Sequence, residues 1–419
     1  MGYRMIDNQI MSCMRCGTCL SVCPTWKETF RENASPRGRV ALIRKVLKGR
    51  VGPSRRVMEY LDLCLGCQAC ASACPSGVNP GEVVSSFRCS MKEGRGLSLG
   101  ERLILRHLLP HPDRLERSIT PLRWYQQSRL QRVFRSGRLR TIIPERLYRM
   151  ERLLPPLPPT PLRHSIDEIT LPDGSPRGTV GFFLGCVMSI LFPEASRATI
   201  RILTLLGYRV ITPKKQICCG APAMLASDRT GLRNAARHTC DLFNGFSPDL
   251  IVTDCAGCGA ELKRYGETLE GEEGAVRFSE KVRDISELLS LHADELSHHL
   301  HPLRIRATYH DPCHLAHCQG VRSEPRRLIR LIPGIDFREL ADADACCGSA
   351  GTYGIRHPAM ADPITSRKID TIRESGAEVV VTGNPGCLLQ IRDGLSPLSP
   401  PIRVMHLTEL LWMSIQGSG

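Results

Sequence analysis

The 419-residue chain is expected to form an α+β multidomain protein. An α-helical module comes first, followed by two repeated α/β domains built on parallel sheets. Three observations lead there. A four-cysteine run closed by proline occurs twice before residue 76. From about residue 176 the chain repeats a pattern of cysteines that includes two Cys-Cys-Gly triplets. Within each copy, apolar strand-like runs alternate with helix-length stretches, the pattern of a parallel sheet with crossover helices.

The first run is Cys13-x-x-Cys16-x-x-Cys19-x-x-x-Cys23-Pro24, and the second is Cys64-x-x-Cys67-x-x-Cys70-x-x-x-Cys74-Pro75. This is the bacterial ferredoxin spacing, in which three cysteines hold one cluster and the fourth ligates its neighbour. Reach is the physical reason. The first three thiols curl round one cubane, whereas the fourth lies on the following helical turn and faces away. Cys13, Cys16, Cys19 and Cys74 are therefore assigned to one 4Fe–4S cluster, and Cys64, Cys67, Cys70 and Cys23 to the other. Gly17 and Gly66 free the loops to turn backbone N–H groups toward sulfur, and Pro24 and Pro75 stop them continuing as regular structure. Two zinc sites are the alternative, but structural zinc prefers paired C-x-x-C elements. Between the runs, residues 36–48 space their apolar side chains for a helix. Residues 1–91 thus form a helical dicluster module, a wire that passes single electrons and makes no bonds.

Twenty cysteines would suit a disulfide scaffold only in a short secreted chain. The N-terminus, MGYRMIDNQI, has no apolar core of a signal peptide. The charge-free stretch from Gly178 to Pro193 spans 16 residues, short of the ~20 a membrane-spanning helix needs. A cytoplasmic protein with reduced, metal-holding thiols is the expectation.

The formal charge of +14 is concentrated. From Lys92 to Arg163 there are sixteen Lys/Arg against six Asp/Glu. Residues 92–175 are read as a basic helical and Pro-rich linker, with short amphipathic helices at 102–109 and 130–140 and a stiff proline run at 153–161. Such a segment suits peripheral contact with an anionic membrane, a docking surface for an acidic subunit, or a solvated face. Nucleic acid is not expected, because aromatics are 5% of the chain and no nucleic-acid motif is present.

The repeated half divides into 176–298 and 299–419. Cys186, Cys218 and Cys255 recur as Cys313, Cys346 and Cys387, at offsets of 127, 128 and 132. Matching order and offset mark a duplication. The cysteines fall at strand ends, where loops of a parallel sheet gather into one crevice. Adjacent thiols at Cys218-Cys219 and Cys346-Cys347 can serve one site only if the backbone turns there, which Gly220 and Gly348 permit. A vicinal disulfide is the alternative.

These repeats resemble the cysteine-rich CCG domains of the heterodisulfide reductase family. Two ferredoxin runs followed by two CCG domains, together with Ser35-Pro-Arg-Gly-Arg39 and Asp311-Pro-Cys-His-Leu315, resemble the iron–sulfur subunits of the glycolate oxidase family. Subunits of anaerobic glycerol-3-phosphate dehydrogenase and lactate-utilisation proteins share the architecture. The resemblance implies metal ligands at Cys186, Cys218, Cys219, Cys255 and Cys258. In the second copy Gln390 stands where the last cysteine would be, leaving Cys313, Cys346, Cys347 and Cys387 for an iron–sulfur cluster or zinc. His310, His314 and His317 are expected to make structural hydrogen bonds. Cys89, Cys240 and Cys318 are expected to be small buried residues. The chain contains no G-x-G-x-x-G fingerprint, so FAD belongs on partner 2-hydroxy-acid dehydrogenase subunits. The resemblance implies that electrons pass on to a quinone or another membrane acceptor. An enzyme reducing a disulfide or quinone at a CCG cluster, and a zinc-binding interaction protein, are the rival readings.

Overall fold

The computed structural model describes residues 8–92, 97–135 and 143–417. Its N-terminal module holds helices α1 (Pro24–Thr29), α2 (Pro36–Leu47), α3 (Arg55–Asp62) and α4 (Pro80–Lys92). The expected helix at 36–48 is present as α2. Ser35 starts it: its side chain accepts the Gly38 N–H, and Pro36 occupies the first turn, where no partner is needed for its missing N–H. Val40 and Ile43 of α2 pack on Val57 and Leu61 of α3 and on Val83, Val84 and Phe87 of α4. Arg39 is buried in this module. Its guanidinium donates to Tyr60 O and Thr25 Oγ1.

The middle segment runs along the repeats. Helix Leu99–Arg102 continues as a π-turn, Leu103–Leu108. Next come α5 (Pro112–Gln127), Arg129–Arg135, and α6 (Glu145–Leu153). The helix expected at 130–140 is described only as far as residue 135. The proline run is pinned in place, since Gln126 donates to Pro155 O and accepts the Leu157 N–H. Arg106 pairs with Asp228, Arg149 with Asp362 and Arg152 with Asp393. Part of the basic charge is thus neutralised within the molecule.

The first repeat contains β1 (Ile169–Thr170), β2 (Gly178–Phe182), β3 (Tyr208–Ile211), β4 (Leu250–Thr253) and β5 (Val282–Asp284), in the order β1-β3-β2-β4-β5. The second contains β6 (Arg306–Tyr309), β7 (Asp336–Phe337), β8 (Val379–Thr382) and β9 (Arg403–His406), in the order β7-β6-β8-β9. The duplication therefore extends to topology. Val180 stands opposite Leu250 in one sheet, and Ala307 opposite Val379 in the other. All pairs are parallel except β1 with β3. That two-residue antiparallel edge is too short to carry a sequence pattern.

Five helices of the repeats bear on the site: α7 (Cys186–Leu191), α8 (Pro193–Leu205), α9 (Arg229–Phe246), α10 (Ala256–Leu262) and, in the second copy, α11 (Pro385–Leu395). The two copies share a core. Val180, Phe182 and Val252 of the first sheet join one apolar cluster with Tyr309, Val379 and Val381 of the second. Helix α12 (Leu407–Ile415) seals it, with Thr408 Oγ1 donating to Ala195 O of α8.

Candidate metal centres

Both ferredoxin loops turn through left-handed backbone at matching positions. Arg15 (φ 58°) and Gly17 (φ 92°) do so in the first, Gly66 (φ 68°) and Gln68 (φ 63°) in the second. These are the third and fifth residues counted from the first cysteine. Cys16 is exposed, Cys13, Cys19 and Cys74 are half-buried, and Cys23 is buried. Burial raises the pKa of Cys19, and the charges of Cys13 and Cys23 raise it further. Cys23, Cys64, Cys67 and Cys70 line a single hollow with Arg39 and Gln68. The fourth cysteine of the first run thus joins three from the second. Burial first, then Cys64 and Cys23, push the Cys70 thiol up. The buried Arg39 guanidinium supplies one positive charge there.

Cys186 and Cys255 follow β2 and β4, and Cys313 and Cys387 follow β6 and β8. These strands are the central neighbours of a sheet whose strand order reverses between them, the crevice where open α/β sheets bind ligands. Cys186 begins α7, and Cys255 caps α10, its Sγ accepting the Cys258 N–H at 3.4 Å. Gly220 holds φ 86°, and the turn that follows Cys219 depends on it. Cys186 contacts Cys218, Cys218 contacts Cys219, and Cys219 contacts Cys258. Hydrogen bonds to neighbouring thiols first, then burial, raise Cys186 and Cys258; Cys218 is raised by Cys219 and burial against the opposing bond with Cys186, while hydrogen bonds from Cys218 and Cys258 lower Cys219. The five thiols thus form one unbroken group.

In the second copy Cys313 contacts Cys346, Cys346 contacts Cys347, and Cys347 Sγ lies 3.5 Å from Cys387 Sγ. Gly348, at φ 89°, repeats the turn. Buried Lys368 donates to Asp342 O and brings an ammonium beside Cys346 and Cys347. Gln390 donates to Thr365 Oγ1. All 20 cysteines are free thiols, so no vicinal disulfide is formed.

Three expectations need correction. First, strand register and helix caps place Cys387 at the position of Cys258, so Asn384 rather than Gln390 replaces a cysteine, that of Cys255. His314 contacts Gly66 O, and His317 contacts Ser72 Oγ and Asp344 O, as expected. His310 differs: it is wholly buried, and neither ring nitrogen has a hydrogen-bond partner. It lies with Cys347 and Cys387, the donor atoms all within 4.8 Å of one another. Alignment of the repeats offered a signal, since His310 occupies the place of the core residue Phe183. Cys89 and Cys240 are buried, but Cys318 is exposed, because it falls in the turn beyond Cys313 rather than on a packed face.

The sets are linked end to end. The loop of Cys64–Cys70 docks on the second repeat. Tyr353 OH donates to Leu63 O at 2.9 Å, and Leu65 packs beside Cys346, Tyr353 and Ile364. Cys67 feels the charges of Cys346 and Cys313. Asn384 joins the repeats. Its Oδ1 accepts the Gly257 N–H at 3.1 Å, and its Nδ2 lies 3.6 Å from Cys387 Sγ. At the far end a hollow reaches Cys186 and Cys218. Leu109, Leu115, Ile190 and Ile217 wall it, and Glu116 and Arg163 stand at its polar side. Among the described residues no helix is long and apolar enough to cross a membrane.

Comparison with known proteins agrees with this arrangement. The family described as "4Fe-4S dicluster domain" matches residues 9–78. "Glycolate oxidase iron-sulfur subunit, linker region" matches 96–154, and "Cysteine-rich domain" matches 180–263 and 307–392. The chain is 36% identical to the probable glycolate oxidase iron-sulfur subunit of Bacillus subtilis (strain 168), over 97% of this chain and 94% of that one. It is 30% identical to the glycolate oxidase iron-sulfur subunit of Escherichia coli (strain K12), covering 91% and 89%. It is also 30% identical to a fumarate reductase (CoM/CoB) subunit of Methanothermobacter marburgensis, covering 97% and 72%. The chain belongs to the glycolate oxidase iron–sulfur subunit family.

Proposed function

We propose that the chain is the electron-transfer subunit of a flavin-dependent 2-hydroxy-acid oxidase complex of the glycolate type. A partner subunit carrying FAD oxidises the acid, and a quinone-type acceptor receives the electrons. The observation that carries this reading is the continuous order of thiol sets. It runs from the exposed Cys16 loop, through the hollow of Cys23, Cys64, Cys67 and Cys70, to Cys313, Cys346, Cys347 and Cys387, and across Asn384 to Cys186, Cys218, Cys219, Cys255 and Cys258. The donor chemistry fits, because the thiols are free and largely shielded and two buried cations, Arg39 and Lys368, stand beside them. Iron–sulfur clusters, when bound, supply sites that exchange one electron at a time; a zinc ion in a CCG set would only brace it. The chain's own residues set the spacing. Leu65 and Tyr353 fix the ferredoxin loop on the second repeat, and Asn384 fixes the two repeats to each other. Exposed Leu122, Trp124, Leu130 and Val133, on the basic segment, suit peripheral contact with the inner face of the cytoplasmic membrane.

The test uses the purified complex carrying Cys16→Ser. Glycolate should still bleach the flavin, while acceptor reduction falls by at least tenfold. A flavin that glycolate no longer reduces would refute this division of labour. The apolar hollow at Cys186 and Cys218 favours a second reading, in which the first repeat itself reduces a quinone or disulfide. Acceptor reduction by the isolated chain with an artificial donor would support it.

A further inference from the structure

The two repeats share strand order, register and the Cys-Cys-Gly turn, yet their donor atoms differ at two places. Where the first has Cys255 at the N-cap of α10, the second has Asn384 at the N-cap of α11, and Cys387, third in its helix, stands in the place of Cys258. Where the first has Phe183, three residues before its leading cysteine, the second has His310. Gln390, a turn farther along α11, offers no replacement donor. Its amide nitrogen is turned to Thr365 Oγ1 at 3.0 Å, and that hydroxyl in turn donates to Cys347 O.

His310 leaves β6 at its carboxyl end. Its backbone N–H donates to Val381 O of β8 at 2.9 Å, which extends the pairing of the two central strands to this residue. The side chain is fully buried, and both ring nitrogens are orphaned. Buried polar atoms are almost always partnered, and an exception calls for a missing ligand or ion. Burial favours the neutral imidazole, the form with a free lone pair. One of its ring nitrogens and the sulfurs of Cys347 and Cys387 all lie within 4.8 Å of one another. The two sulfurs lie 3.5 Å apart, close to the ~3.8 Å edge of a tetrahedron of thiolates about one metal ion with bonds of about 2.3 Å.

We propose that His310 is a nitrogen ligand to the metal of the second repeat, held with Cys347 and Cys387 in a mixed imidazole–thiolate site. The duplication has exchanged a sulfur donor for a nitrogen donor at another corner of the same crevice. The first repeat keeps an all-thiolate set. Imidazole and thiolate together suit zinc or the iron of a cluster. This inference rests on the reading that the second repeat binds metal.

The experiment uses the full chain, purified anaerobically with 15N-labelled histidine. Metal content is measured with X-ray absorption at the zinc and iron edges, and with pulsed EPR for nitrogen coupling to paramagnetic iron. The expected result is imidazole scattering at the zinc edge, or a 15N coupling to iron, in the unaltered protein. Either signal should be lost in His310→Phe, which places the first repeat's own residue there, and metal retention should return in His310→Cys. Unchanged zinc and iron spectra in His310→Phe would overturn the proposal. So would an unaltered protein with neither signal, an observation that does not depend on any variant folding. Cys387→Ser separates the two failures. If it too leaves metal content unchanged, the second repeat holds no metal. If it lowers metal content while His310→Phe does not, the metal is present and the histidine is not its ligand.

Discussion

Gly38 gives a prediction whose sign differs from that of helix propensity. It lies in the first turn of α2, where alanine in place of glycine ordinarily gains ~1 kcal/mol. Here an added Cβ would stand 1.8 Å from Glu32 O, 2.7 Å from the Glu32 carbonyl carbon and 2.9 Å from Ser35 Oγ. Ordinary contact begins near 3.4 Å, so two stretches of backbone must part by about 1.6 Å. That movement breaks the Ser35 cap on the Gly38 N–H, worth ~1 kcal/mol. It also breaks the Ser35 N–H bond to Glu32 O, worth ~1 kcal/mol. Arg39, the next residue, is carried away from Tyr60 O and Thr25 Oγ1, and disturbing a charged hydrogen bond costs ~1.5–3 kcal/mol. Gly38→Ala should therefore destabilise the module by ~3–5 kcal/mol. Gly245→Ala, at an exposed position near the end of α9 where nothing lies within 4 Å of the new Cβ, should gain up to ~1 kcal/mol. Anaerobic urea titration, followed by the visible absorbance of the iron–sulfur protein, reads the first. Far-ultraviolet circular dichroism reads the second. A Gly38→Ala midpoint equal to or above that of the unaltered protein would refute the steric argument.

Two further outcomes follow from the docked interfaces. Burial pushes Glu261 of α10 up to about 7, with Arg264 opposing and Glu82 and Glu267 adding repulsion. A carboxyl raised in the folded state costs nothing below its unfolded value near 4.5, and the cost grows until pH passes about 7. From 4.5 to about 7 it amounts to ~3 kcal/mol. Glu261→Gln should thus raise the thermal midpoint most at pH 8 and little at pH 5; a pH-independent difference would contradict this. Tyr353→Phe removes the hydrogen bond to Leu63 O, costing ~1 kcal/mol. It should speed amide exchange across residues 63–72 while iron content stays full.

What the sequence displays is what repeats or recurs at short range. The four-cysteine runs, the helix at 36–48 and the alternation of strands with helices in both copies are local patterns, and each has its counterpart in the structure. The resting place of Leu65 against Ile364 is set by chain segments some three hundred residues apart, and no periodicity encodes it. The proline run at 153–161 looks like a spacer by composition, yet one glutamine, Gln126, fastens it. His310 was concealed for another reason. A histidine beside Asp-Pro-Cys looks like ordinary hydrogen-bonding chemistry until its surroundings show that no partner is there.

The amide of Asn384 has two ends and one orientation. Because its oxygen must face the Gly257 N–H of the first repeat, its nitrogen is left to face Cys387 of the second. The proton that softens the charge on that sulfur is therefore aimed by the backbone of the other copy. Two sites descended from one ancestor thus share one side chain, whose orientation is fixed in one copy and felt in the other.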